Sequence, residues 1–202
     1  MKKRSKRYKK LIDTLKDKKI VGLQSVIDEV KKNSNTKLTE SIDLSFKINI
    51  KKLKAADQSV RTAIELPNGN GKKIKVAVLC DEAKLSDAKK SGAEIVGSDD
   101  LINKISSGEI NFDKLICTPS MMSKMGKLGK ILGPKGLIPN PKLGTVTNNI
   151  ETAVKSIKSG QIEIKNDKDG NVAASIGKKS FPDNKIMENF TAFLDTLMKE
   201  KP

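Results

Sequence analysis

Three short apolar runs set the strongest limit on how this chain can fold. They are KKIKVAVLC (72–80), Glu94-Ile-Val-Gly97 and Leu115-Ile-Cys117. Nearly continuous apolar runs of this length suit strands buried on both faces, as in a parallel sheet. A helical segment running through Lys90 separates the first two. LINKISSG (101–108), with Ser98-Asp99-Asp100 as candidate caps, separates the second from the third. Strand, helix, strand, helix, strand in so short a stretch predicts a small α/β unit with a parallel sheet.

The flanks obey a different rule. Ile42, Leu44, Phe46, Ile48 and Ile50 alternate with Asp43, Ser45, Lys47 and Asn49. That is the period of a strand with one buried and one polar face. A basic, polar connection, KKLKAADQS (51–59), leads to a second strand through Val60, Ala63 and Ile64, and these two strands are expected to pair antiparallel. Gln161–Lys165 and Asn171–Ile176 flank NDKDG (166–170), predicting a strand pair joined by a turn with Asp-Gly at its tip. Helices are predicted from about residue 5 to about residue 17, through Leu23, Val26, Ile27 and Val30, and around 150–159. A last helix opens at Pro182-Asp183 with Ile186, Phe190, Phe193, Leu194 and Leu197 on one face. The ends therefore read as α+β and the middle as α/β. The simplest arrangement is one discontinuous domain, 1–69 and 160–202, with a second domain, 70–159, inserted. Gly69, Gly71 and Gly160 mark the two chain crossings and are read as a paired hinge.

Gly126–Thr147, GKLGKILGPKGLIPNPKLGTVT, is dense in glycine, proline and lysine. Such a segment cannot be one helix or one strand. Leu128, Ile131, Leu132, Leu137, Ile138, Leu143 and Val146 supply apolar anchors, so an ordered basic loop is expected. Its Lys127, Lys130, Lys135 and Lys142 are candidates for secondary contact with RNA, with packing as the alternative role.

Charge narrows the partners. The net charge is +16, from 40 Lys+Arg against 24 Asp+Glu. Residues 1–69 carry 18 basic and 8 acidic side chains, residues 70–159 carry 15 and 9, and residues 160–202 carry 7 and 7. Acidic lipid or nucleic acid is the usual partner of such a surface. The first nineteen residues hold ten Lys or Arg, which reads either as a solvated arm or as one that tracks phosphates. No apolar run reaches the length of a membrane span, and no apolar h-region follows the basic N-terminus. The chain has no histidine, so no Ser-His-Asp or Cys-His arrangement and no His-containing zinc site can be built. Cys80 and Cys117 read as small core residues. No metal, cofactor or catalytic set is expected.

Three motif readings fail on context. Gly126-Lys-Leu-Gly129 resembles a GxxG clamp, but Gly133-Pro134-Lys135-Gly136 stops any helix after one turn. Gly69-Asn-Gly71-Lys72 precedes a strand, the wrong order for a phosphate loop. NDKDG lacks calcium ligands, with Lys165 at the first ligand position and Ile176 where the bidentate acid belongs. Many lysines with five Phe, one Tyr and no Trp argue against base stacking. They fit recognition of folded RNA through shape, phosphate and 2′-hydroxyl.

LGKILGPKGLIPNPKLGTVT (128–147) resembles the signature segment of the family of ribosomal large-subunit protein one, the proteins of the mobile stalk beside the tRNA exit site. ADQSVRTAIELPNGNGK (56–72), GAEIVGSDDLINKISSGEINFDKLICTPSMM (92–122), SGQIEIKNDKDGNV (159–172) and IGKKSFPDNKIMENFTAFLDTL (176–197) follow the family pattern in order. The resemblance covers roughly residues 5–202. It implies an α+β domain from both chain ends carrying a Rossmann-like, three-layer α/β insert. It also implies binding to large-subunit (23S-type) rRNA, help in releasing deacylated tRNA from the E site, and repression of the protein's own mRNA. Carried over by residue, Lys37, Ser41 and Asp43 stand at the RNA-facing start of the first strand, and Arg61 in the next. Lys165, Asp167 and Lys168 form the second RNA-facing stretch, with solubility or turn chemistry as the other reading for Asp43 and Asp167. Leu38 stands where the bacterial pattern usually has Phe. The family pattern continues past the last helix into a strand and a threonine-rich turn, and the expectation is either that the protein lacks them or that the sequence ending at Pro202 is truncated.

The expectation from sequence is a non-enzymatic rRNA-binding protein of the cytoplasmic ribosome, with an organellar ribosome left open. Its partners would be large-subunit rRNA, E-site tRNA and its own mRNA, with no membrane, and it would be a monomer off the ribosome. The runner-up is a free translational repressor acting mainly on mRNA, and the third reading is a nucleotide-binding α/β enzyme.

Overall fold

The structure, a computed structural model, describes residues 4–15, 22–49 and 60–200. The strands are β1 (Ser41–Lys47), β2 (Arg61–Glu65), β3 (Val76–Leu79), β4 (Ile95–Gly97), β5 (Lys114–Cys117), β6 (Gln161–Lys165) and β7 (Asn171–Lys178). The helices are α1 (Lys6–Leu15), α2 (Leu23–Asn33), α3 (Leu85–Lys90), α4 (Asp99–Ser106), α5 (Met122–Met125), α6 (Gly129–Leu132), α7 (Ile150–Ser159) and α8 (Asp183–Glu200). The far end of the predicted first helix, Ile50 and the connection 51–59 lie outside the described residues.

β1 keeps its expected alternation, with Ile42, Leu44 and Phe46 half-buried and Ser41, Asp43, Ser45 and Lys47 exposed. Its partner differs from the expectation. β1 and β2 do not pair; β1 lies antiparallel to β7 and β2 antiparallel to β6. A single bridge, Asn166 to Val172, links the two ladders. The segments around NDKDG are thus adjacent but contribute their ladders to strands from the front of the chain. Alternation specifies which face is buried, not which strand is the neighbour.

Helix α8 covers the apolar side of these strands. Ile186, Phe193 and Leu197 are buried against Ile27, Ile48, Ile64, Ile164 and Ile176. Phe193 stacks on Phe46 with ring centroids 5.7 Å apart. On α2 only Ile27 is buried, while Val26 and Val30 are exposed. The inward edge of α2 is instead Leu23, Ile27 and Lys31, four residues apart. Lys31 there binds the Asp183 carboxylate, and its ammonium holds that carboxyl below its usual range.

The middle segment forms the predicted parallel sheet, in the order β4-β3-β5. Leu101, Ile105, Met121, Met125, Leu128 and Leu132 pack with one side of it. Ala88, Ile150, Val154 and Ile157 pack with the other. Ser98 occupies the N-cap position of α4 but makes no capping hydrogen bond, so the first-turn acids Asp99 and Asp100 carry the favourable end charge. Cys80 and Cys117 are both buried free thiols; burial pushes the Cys117 thiol up to about 11.

The Gly- and Pro-rich segment is ordered by its anchors. Leu128, Leu132 and Leu143 are buried, Ile131, Leu137 and Val146 half-buried, but Ile138 is 45% exposed and anchors nothing. After α6 the chain turns through Gly136 at φ 66°. The Asn140 amide N–H donates to Thr145 Oγ1 at 2.7 Å, and Asn140 Oδ1 accepts from the Lys142 N–H at 2.9 Å. Val146 then bridges to Cys117 in parallel, adding one rung beside β5.

The two chain crossings touch. A Cβ on Gly160 (φ 123°) would lie 2.4 Å from the Gly69 Cα, so the second crossing admits no side chain against the first. Asn189, fully buried on α8, clamps this junction. Its Nδ2 donates to Gly69 O (2.8 Å) and Ile176 O (2.7 Å), and its Oδ1 accepts from the Asn68 N–H (3.0 Å).

Candidate nucleic-acid interface

The polar face of the β1–β7 ladder carries the first group of candidate residues. Ser41 and Asp43 are exposed on β1, and Lys37 is exposed in the connection just before it. Ser41 is opposite Lys178 and Asp43 opposite Ser175, with an irregularity between Ile42 and Asp43 that re-aims the strand there. Lys178 Nζ donates to Ser41 Oγ at 2.7 Å. Behind Lys37, Arg7 of α1 donates to Glu40 Oε1 at 3.0 Å, and that hydrogen bond holds the Glu40 carboxyl below its usual range. The adjacent Leu38 is 80% exposed.

The second group lies at the other end of the strands. Arg61 and Lys165 are opposite one another in the β2–β6 ladder, and Asp167 and Lys168 form the turn leading to β7. β1 ends here too, at the Lys47–Asn171 pair. A strand of seven residues extends roughly 20 Å, so the candidates form a strip along the outer face and not one pocket. Lys37 and Ser41 stand at one end, Asp43 between, and Lys165, Asp167 and Lys168 at the other.

Within the second group, two side chains are already occupied. Asp167 Oδ1 accepts from the N–H groups of Asp169 (2.9 Å) and Asn171 (2.7 Å), and Oδ2 accepts from Asn171 Nδ2 (2.8 Å). Those bonds, the Asn171 side chain first, hold its carboxyl below the usual aspartate range. Asp167 therefore builds the turn that presents Lys168. Arg61 Nε donates to Glu163 Oε1 at 2.8 Å, and the same carboxylate reaches Lys114 Nζ at 3.5 Å. By contrast, the structure shows no ion pair for Lys37, Lys165 or Lys168 among the described residues, and an exposed unpaired ammonium is suited to phosphate.

Ser45, Lys47 and Lys178 share this strip and were not singled out from sequence. Ser45 and Lys47 were legible as the polar phase of β1, whereas Lys178 is brought in only by the register of β7. Lys127, Lys130, Lys135 and Lys142 are all exposed, on the separate segment that follows β5. Among the described residues no cluster of Asp, Glu or Cys could hold a metal ion, and no helix is long and apolar enough to cross a membrane.

The arrangement, cations spaced along a twisted sheet with hydroxyl and carboxylate acceptors between them, matches a polyanion carrying hydroxyl donors. Comparison with known proteins gives the family. The sequence model of the ribosomal protein L1p/L10e family matches residues 30–202. The large ribosomal subunit protein uL1 of Pelagibacter ubique (strain HTCC1062) is 57% identical to this chain over 197 residues, which is 98% of this chain and 86% of that protein. With a match of that depth over nearly its whole length, the chain belongs to the ribosomal protein L1p/L10e family.

Proposed function

We propose that this protein is a constituent of the large ribosomal subunit that docks on its rRNA through the outer strip of β1, β7 and the 167–170 turn. The family is one of structural proteins, not enzymes. The observation that carries the docking surface is the strip itself: Lys37, Lys165 and Lys168, exposed and without an ion pair among the described residues, flank Ser41 and Asp43 on one polar sheet face. Lysines position the phosphates, and Asp43 accepts from ribose 2′-hydroxyls, which distinguishes RNA from DNA. Two further readings belong to the same proposal. The chain divides into a terminal unit, 1–69 with 160–202, and an inserted unit, 70–159, moving about Gly69, Gly71 and Gly160. On the cytoplasmic ribosome that motion would help deacylated tRNA leave the E site, with the free monomer repressing its own mRNA through the same strip.

Filter binding to large-subunit rRNA tests the strip. Lys37→Ala and Lys168→Ala should each weaken binding and flatten the salt dependence by about one phosphate contact. Lys89→Ala and Lys90→Ala, on α3, should leave both unchanged. Equal losses at all four positions would refute a localised surface. Co-sedimentation with large subunits in high salt should persist; a chain that washes off entirely is a free repressor instead.

A further inference from the structure

A second basic surface lies where the crossing chains meet the sheets. A cleft of about 490 Å³ is lined by Lys72, Lys73 and Lys114 from the middle segment, and by Gln161 and Lys178 from β6 and β7. Asn70 also lines it. The one acid on its wall, Asp113, is turned to the backbone, where Oδ2 accepts from the Lys75 N–H at 2.9 Å. Lys114 reaches Glu163 only at 3.5 Å, and Lys72 and Lys73 are exposed, with no ion pair shown among the described residues. The cleft therefore holds a surplus of positive charge between converging walls, a geometry that concentrates anions.

Asn70 makes it a built site and not merely a run of lysines. It is 7% exposed, and its Oδ1 accepts from the Lys72 N–H at 3.0 Å. That bond fixes the amide, and Nδ2 has no hydrogen-bond partner shown among the described residues, leaving a held donor at the cleft wall. Lys178 joins the cleft to the outer strip, since it lines the one and donates to Ser41 on the other. No aromatic side chain lines the cleft, so it offers nothing on which a base could stack, and recognition there falls to phosphate.

We propose that this cleft binds backbone phosphates of the RNA that lies on the outer strip, so that one RNA touches the terminal strands and the middle segment together. The inference rests on the rRNA reading above. Its consequence is mechanical: Lys72 and Lys73 follow directly on Gly69 and Gly71, so a phosphate held between them and Lys178 ties the two sides of the crossing to each other.

The test is a salt titration of full-length chain and large-subunit rRNA, comparing wild type with Lys72→Gln/Lys73→Gln and with Lys89→Gln/Lys90→Gln. Both positions in the cleft pair are exposed, so the fold should survive, as an unchanged thermal midpoint will show. The cleft pair should weaken binding and lower the slope of log K against log salt by about 1.5, the loss of two phosphate contacts. The α3 pair should leave the slope at its wild-type value. A cleft pair that binds as wild type does, with an unchanged slope, overturns the cleft while leaving the outer strip intact. A parallel melt in inorganic phosphate separates the sources of the anion. If phosphate alone raises the midpoint of wild type but not of the cleft pair, and the RNA slope is unchanged, the site belongs to a free anion and the proposal fails. A wild-type chain that retains no rRNA removes the parent reading and this one with it.

Discussion

Asn189 stands where the helical period of α8 calls for leucine. It is three residues after Ile186 and four before Phe193, both buried, yet it is an amide with three partners on two separate pieces of chain, Asn68-Gly69 and β7. The polar interruption was visible in the sequence; what it binds was not, because Gly69 and Asn68 approach α8 only after the chain has crossed. Asn189→Ala strands two carbonyls and one N–H, one of the three bonds fully buried and the others part-buried. Each such group costs about 1–3 kcal/mol, so urea unfolding should show a loss on the order of 3 kcal/mol. Asn189→Leu should do no better despite its fit to the apolar face, and recovery of stability in that variant would show that the amide is not the clamp. The same residue-level logic separates Asp167 from Asp43. Both read from sequence as RNA-facing acids, but the hydrogen bonds of Asp167 are spent within its own turn, whereas Asp43 faces outward.

At the scale of elements, that turn has a pH signature. The Asp167 carboxyl is held below its ordinary value in the folded chain. A group with a depressed folded pKa contributes stability above its unfolded pKa and loses it as pH falls through the folded value. The turn should therefore be secure at neutral pH and loosen from about pH 4 downward. The protection of the Asn171 N–H, which donates to Asp167 Oδ1, should fall over that range in wild type when its exchange is measured against a free amide at the same pH. Asp167→Ala, which removes the acceptor, should already show little protection at neutral pH and little change in it on acidification, while its Lys168-dependent rRNA binding should fall about as far as in Lys168→Ala. Protection in wild type that stays constant on acidification until the whole chain unfolds would contradict this account. The elements also mark what could be read in advance. β1, the three parallel strands, α7 and α8 were legible because periodicity and apolar run length encode burial directly. The pairings β1–β7 and β2–β6 were not, because they join residues more than ninety positions apart, and nothing local in either strand names its partner. Ile138 looked like an anchor by composition alone, but the preceding turn at Gly136 carries it outward.

At the scale of the molecule, the apolar cores divide by segment. One contains residues from Ile27 to Leu66 and from Ile164 to Leu197, and the other two lie between Val76 and Ile157. The proposed division into a terminal and an inserted unit predicts that residues 70–159, expressed alone, fold. Their thermal melt should be cooperative, and Leu132→Ala, which empties a fully buried site, should lower its stability by about 3 kcal/mol. A fragment without a cooperative transition would make the two units one. That Lys127, Lys130, Lys135 and Lys142 sit in this unit explains why the segment most distinctive in sequence is not the one that carries the outer strip. The strip is built from ordinary strand residues, which carry no such local signature.

The contact of Gly69 with Gly160 also has a bearing on how the chain assembles. On the proposed division, the terminal strands see the whole excursion from 70 to 159 as a loop whose ends must meet. When the excursion is folded, its ends already touch, and β2 and β6 are joined as though by a tight turn. When it is unfolded, the same closure requires a long flexible chain to bring its ends together. The difference in closure entropy is roughly 2–3 kcal/mol, so the middle of the chain acts as a staple for its two ends, and any ligand that protects the middle from unfolding also protects β2–β6 pairing some distance away.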